Sequence, residues 1–254
     1  MLPQLYTGAS GMVASARTLD VVANNLANTR TPGYTPDRAL FSSYLNEELA
    51  AQTREGARAF AQVRMAGNWR SDAPGPLRST GNPLDLAIQG EGFFRVQTPQ
   101  GERLTRAGAM QRLPDGTLAT ADGHPLLDEN GRPIVLPEGQ VAVASDGTVT
   151  VSLIEDGRLT GGQDIVARIG LTKASVNEML REGASLWKPN ASAAPIPAEQ
   201  TEITQGFIEQ SGVQATQELV NMIQAQRLFE MQQRVVNVTA NTVLKRALDL
   251  AGVG

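Results

Sequence analysis

LYTGASGMVASARTLDVVANNL (residues 5–26) places a large apolar side chain at every seventh position, Leu5, Met12, Leu19 and Leu26. Ala9, Ala16 and Ala23 repeat with the same period, four places later. A 4-3 spacing that alternates large and small residues is the pattern of a coiled-coil seam on an amphipathic helix. The far end of the chain, MIQAQRLFEMQQRVVNVTANTVLKRALDL (222–250), takes the same step with Met222, Phe229, Val236, Val243 and Leu250. Two seams at opposite ends can pair with each other or with copies of the chain, so the pattern predicts assembly rather than catalysis.

Everything between them reads differently. The first helix is expected from about residue 4 to about residue 28, ended by Thr31-Pro32-Gly33, because proline cannot continue a helix. Residues 40–52 read as a further short helix within an extended connector over 36–81. From residue 82 turn signals arrive at short intervals: Asp115-Gly116, Asp122-Gly123, Asn130-Gly131, Asp146-Gly147 and Asp156-Gly157. Asp or Asn before Gly is hairpin chemistry, and it predicts an all-β domain of many short strands over 82–190, sandwich and barrel both remaining open. A Pro/Ala-rich linker is expected over 191–212 and the second long helix from 213, in a helical region running to 254. The expected class is therefore α+β: terminal helices, in regions 1–35 and 213–254, form a coiled-coil-like assembly domain around an inserted β domain. Gln214, Gln217, Gln224, Gln226, Gln232 and Gln233 line the second helix, and uncharged amides are far cheaper to bury against neighbours than Glu or Lys.

The totals narrow the classes. The 254 residues are 41% hydrophobic with net charge −4 and both signs scattered, so no basic stripe is available to neutralise phosphates. There is no cysteine, which removes disulfides, thiol nucleophiles and Cys-ligated zinc. No apolar run approaches the roughly 18 residues of a membrane span, and the N-terminus lacks the basic and apolar regions of a cleavable secretory signal.

No constellation reads as catalytic, cofactor-binding or metal-ligating. His124, the only histidine, lies in Asp122-Gly123-His124-Pro125, a turn. Asp115, Asp122, Asp128, Asp146 and Asp156 raise the question of a hydrolase acid pair, but they sit at turns, where Asp serves backbone geometry. Gly90-Glu91-Gly92 lacks the third glycine of a dinucleotide loop and precedes a strand. Asn190-Ala191-Ser192 and Asn237-Val238-Thr239 match glycosylation acceptors only by a common pattern.

Three stretches in order carry a resemblance. Ala23-Asn24-Asn25-Leu26-Ala27-Asn28 followed by Thr31-Pro32-Gly33-Tyr34, NPLDLAIQGEGFFRV (82–96) with LTRAGAMQRLPDGTLATADGHPLL (104–127), and QGFIEQSGVQATQELVNMIQAQRLFEMQQRVV (205–236) resemble the signatures of the bacterial flagellar rod and hook proteins. Within the family the residues lean to proximal-rod members, with distal-rod or hook-type members as the alternative. Ser211-Gly212-Val213 departs from the family's Ser-Asn-Val, which puts the cap of the second helix in question, since Gly caps less well than Asn.

The resemblance implies a non-enzymatic structural subunit without cofactor. Its terminal helices would form the wall of a hollow, torque-transmitting shaft, and its β domain would face outward. It further implies, as partners, copies of itself and other rod subunits, the flagellar type III export gate in transit, and surrounding ring proteins. The implied location is the basal body within the periplasm, and Phe41-x-x-x-Leu45 resembles a short export element.

Overall fold

Two helices, α1 (Leu2–Ala27) and α2 (Ala215–Ala251), bracket seventeen strands among the described residues. The computed structural model describes residues 2–46, 60–71, 73–155, 158–189, 194–195 and 202–252. The chain is α+β, and it divides into a helical unit (residues 1–27, 37–69 and 214–254) and a strand unit (28–36 and 70–213).

In the helical unit α1 and α2 run antiparallel: Gly8 lies against Val236, and Gly11 and Ser15 lie against Gln232. A Cβ on Gly8 would stand 2.7 Å from Val236 Cγ2, and one on Gly11 2.9 Å from Gln232 Nε2. Glycine inside a helix costs about 1 kcal/mol relative to alanine; here it leaves room for the α2 side chains Val236 and Gln232. Residues 40–46 are strand rather than the expected helix. Asp37–Asn46 is a strand paired with Phe60–Arg70, and residues 47–52 lie outside the described residues. The cause is local: Phe, Ser and Tyr are weak helix formers, and the Asn25 side chain holds Asp37 by two backbone bonds, Asn25 Nδ2 to Asp37 O at 2.9 Å and Asp37 N to Asn25 Oδ1 at 3.0 Å.

The strand unit is built on a six-stranded sheet in the order Leu180–Glu182, Leu186–Lys188, Gly101–Thr105, Phe93–Thr98, Leu171–Lys173, Ala194–Pro195. Successive residues of a strand point to opposite faces, and both faces are covered. Phe94 and Val96 enter the main core with Leu118, Leu126, Val149 and Val151, while Phe93 joins Leu104, Val176, Met179 and Trp187. A three-stranded sheet, Arg158–Arg168, Thr148–Glu155, Gly139–Val143, supplies Val149 and Val151.

The stretch expected as linker over 191–212 supplies strands instead. Glu202–Gln205 pairs with Leu86–Gln89, and Phe207–Glu209 pairs with Leu77–Ser79. Ile203 and Ile208 are buried there, an apolar gain that sequence composition alone underweights. The expected cap at Gly212 also shifts. α2 begins at Ala215, with Glu218 N bonded to Gln214 O at 3.0 Å, and Gly212 donates its amide to Tyr34 O at 2.9 Å.

The turn chemistry carries a pH dependence. Asp115 Oδ1 accepts Thr117 N at 3.0 Å, and Asp146 accepts Thr148 N at 3.0 Å and Thr148 Oγ1 at 2.8 Å. Those backbone bonds, then the hydroxyl bonds, hold both carboxyls below their ordinary range, and a hydrogen bond from Arg103 does the same for Glu182. A carboxyl whose folded pKa is depressed stabilises the fold above its unfolded pKa and loses that contribution as pH falls through the folded value. The thermal midpoint should therefore drop as pH falls below the ordinary carboxylate range, from about pH 4 downward, with a shallower slope in Asp146→Asn. An unchanged midpoint across that window would contradict this assignment.

Candidate functional site

Among the described residues of the strand unit, the candidate side chains stand at separate turns rather than together. His124 is half-buried in its turn, with its amide on Thr120 Oγ1 at 3.2 Å and its carbonyl accepting Thr120 N at 2.9 Å. Asp128 Oδ1 accepts the amides of Asn130 and Arg132, both at 2.8 Å. Asp122 is exposed at its own turn, and Asp156 and Asn190 lie outside the described residues. Glu91 of Gly90-Glu91-Gly92 pairs with Lys173, and Asn237 is exposed on α2.

The helical unit places the two seams differently. On α1 the buried side chains are Ser15, Val22 and Asn25, at 3%, 5% and 2% exposure. With Gly8, Gly11 and Thr18 these follow a 3-4 spacing along α1, and Gly8, Gly11 and Ser15 of that row lie against α2. The Leu5 row lies one position around the helix: Met12, Ala16, Leu19 and Leu26 are half-buried, and Ala9 and Ala23 are exposed. On α2, Met222, Phe229 and Val236 are half-buried beside buried Ala225, and Val236 of that row lies against Gly8 of α1. The side chains of Leu5, Val243, Leu250 and Leu45 lie outside the described residues, and Phe41 is exposed on its strand.

A second row on α2 is the larger finding. Leu228, Met231, Val235 and Val238 follow a 3-4-3 spacing and are 46%, 55%, 59% and 66% exposed. Monomeric proteins seldom display contiguous apolar faces of this kind unless something covers them.

The Asn-rich motif acquires individual roles. Asn25 clamps Asp37, as described above. Asn28 accepts Thr31 N at 3.2 Å through its carbonyl and Thr31 Oγ1 at 3.1 Å through its side chain, which shapes the turn after α1. Asn24 and Ala27 are exposed, and Pro32 is half-buried. Gly33 has φ +65, and a Cβ there would lie 2.5 Å from the Arg106 backbone. Only glycine fits that approach. Tyr34 is 2% exposed beneath the Arg181 guanidinium, 4.5 Å from its ring centroid, and the same guanidinium lies 4.7 Å from the Trp187 ring. Arg181 also donates to Thr35 O.

Within the strand unit these contacts meet at one buried carboxylate that sequence reading passed over. Glu209 Oε2 accepts Arg106 Nη1 at 3.0 Å, with both side chains 6% exposed. Its Oε1 accepts Gly75 N at 2.8 Å, and its carbonyl accepts Gly33 N at 3.0 Å. Arg106 further donates to Gly90 O at 2.8 Å and lies over Phe93 at 5.2 Å. Segments around residues 33, 75 and 106 are thus tied to Glu209, the first by its main chain and the other two by its carboxylate. Asn177 adds a clamp like that of Asn25, with Arg70 N to its Oδ1 and its Nδ2 to Arg70 O, both at 2.9 Å. The only sequence signal for the pair was a charge inside each of two apolar motifs.

Comparison with known proteins follows the same three stretches. The family model described as "Flagella basal body rod protein" matches residues 5–35. "Flagellar hook protein FlgE/F/G D1 domain" matches 87–151, and "Flagellar basal body rod FlgEFG protein C-terminal" matches 204–250. The chain is similar to the flagellar basal-body rod protein FlgF of Caulobacter vibrioides, 34% identical over 239 residues that cover 93% of each. It is similar to FlgG of Bacillus subtilis, 32% identical over 264 residues, covering 98% of this chain and 99% of the relative. It is also similar to FlgF of Escherichia coli, 34% identical over 244 residues and 92% of each.

Proposed function

This chain belongs to the flagellar basal-body rod protein family, and from that premise we propose that its helical unit polymerises with neighbouring rod subunits into the wall of a hollow shaft. The chain is a structural rod subunit of the FlgF type, placed in the flagellar basal body. The observation that carries the proposal is the α2 row Leu228, Met231, Val235 and Val238, which the chain leaves in solvent. Covering such a row gains about 25 cal/mol per Å² of apolar surface, and repeated contacts that do not close on themselves generate a helical assembly.

The half-exposed row of Met12, Ala16, Leu19 and Leu26 on α1 supplies a second packing surface. The exposed amides of Gln217, Gln224, Gln226 and Gln233 can be enclosed by neighbours at modest cost when bonded. Torque then passes through many dispersed apolar contacts. In transit the chain is a client of the flagellar type III export gate, with Phe41 and Leu45 in its recognition element, and in place it meets surrounding ring proteins.

Deleting the gene and imaging isolated basal bodies by electron cryomicroscopy tests this directly. The expected result is a rod truncated or missing at one level, restored by the full chain. A complete rod in the deletion strain would overturn the reading.

A further inference from the structure

In the helical unit a cleft of about 590 Å³ opens among α1, α2 and the strand Asp37–Asn46. Val22, Phe41, Ala225 and Leu228 make its apolar wall, and Phe41 and Leu228 remain 39% and 46% exposed. Its lining carboxylates are Asp37 and Glu218, against one lining cation, Arg38, which lies over the Trp69 ring at 5.9 Å. Glu218 Oε2 is buried and has no hydrogen-bond partner among the described residues. A buried carboxylate oxygen without a donor costs free energy, more than a neutral group would. The cleft therefore lacks a cation carried among apolar side chains.

The chain contains such a piece near the end of α2, Leu244-Lys245-Arg246-Ala247-Leu248, with Lys245 exposed. It cannot serve its own Glu218. Both residues stand on one continuous helix, Ala215–Ala251, and a rise of 1.5 Å per residue separates them by about 40 Å. We infer that the cleft receives the Lys245-bearing end of α2 from a second copy of this chain. The start of α2 in one copy then meets the end of α2 in the next. That brings a positive helix terminus to a negative one and makes a heterologous contact that propagates rather than closes. The inference rests on the rod reading and names the partner at one of its surfaces.

The chain has no cysteine, so single thiols report contacts cleanly. Two full-length forms, Asn221→Cys at the cleft and Asn241→Cys one turn before Lys245, are co-produced in motile cells with tags of different size. Basal bodies are isolated and oxidised. A mixed disulfide dimer is expected. It should disappear when the Asn221→Cys form also carries Glu218→Lys, and return when the Asn241→Cys form carries Lys245→Glu. Both forms present in basal bodies without a mixed dimer would overturn this inference and leave the rod reading standing. Absence of both forms from basal bodies would overturn the rod reading, and the inference with it.

Discussion

Glu209→Ala is expected to destabilise the strand unit by about 3–5 kcal/mol, the cost of removing one partner from a buried ion pair. Arg106 would keep its charge at 6% exposure with Gly90 O and the Phe93 ring as its remaining partners, neither of them a carboxylate, and Gly75 N would lose its acceptor. Total domain stabilities run to about 5–15 kcal/mol, so chemical denaturation should show a large drop in midpoint. The double variant Arg106→Met/Glu209→Leu should recover part of the loss, because no charge is left unpaired. Recovery should stay incomplete, since Gly75 N still lacks a partner. A Glu209→Ala midpoint within error of the parent would mean that the pair is hydrated and ties nothing together.

Val235→Glu with Val238→Glu is expected to abolish rod incorporation and swimming while changing the stability of the isolated chain by less than about 0.5 kcal/mol, the usual range for exposed positions. The two residues are 59% and 66% exposed, so the isolated chain loses no packing. In the assembled wall each carboxylate would be enclosed in an apolar contact, which costs several kcal/mol per ion. The cost then recurs in every subunit. Denaturation of the purified chain, immunoblots of basal bodies and soft-agar swimming measure the three effects. Normal swimming would show that this face of α2 points away from neighbours.

Local sequence made the elements legible and the contacts between them much less so. Period-seven apolar positions placed a long helix at each end of the chain, because periodicity along a helix is a property of neighbouring residues. The same reading put the strongest stripe of α1 on the row from Met12 to Leu26, whereas Gly8, Gly11 and Ser15 are the residues that lie against α2. Room for the α2 side chains Val236 and Gln232 selects small residues on α1, and an apolar scale does not see them. The strands at Glu202–Gln205 and Phe207–Glu209 read as linker because their partners stand at 86–89 and 77–79. The Asp-Gly and Asn-Gly turns fared better. Gly116, Gly123, Gly131 and Gly147 all have positive φ, and that demand is local.

The sequence by itself determined the helix–strand–helix order, the positions of the turns, the absence of thiol chemistry and, through three ordered motifs, membership of the rod family. Tertiary structure alone decided which face of each helix is spent inside the chain and which stays in solvent. It also brought Gly33, Gly75, Arg106 and Glu209 to one buried pair. The division has a physical reason. Helix period and turn conformation depend on residues a few positions apart, while burial depends on which distant segments remove each other's surface from water. A charge such as Glu209 looks solvated until the fold supplies its partners.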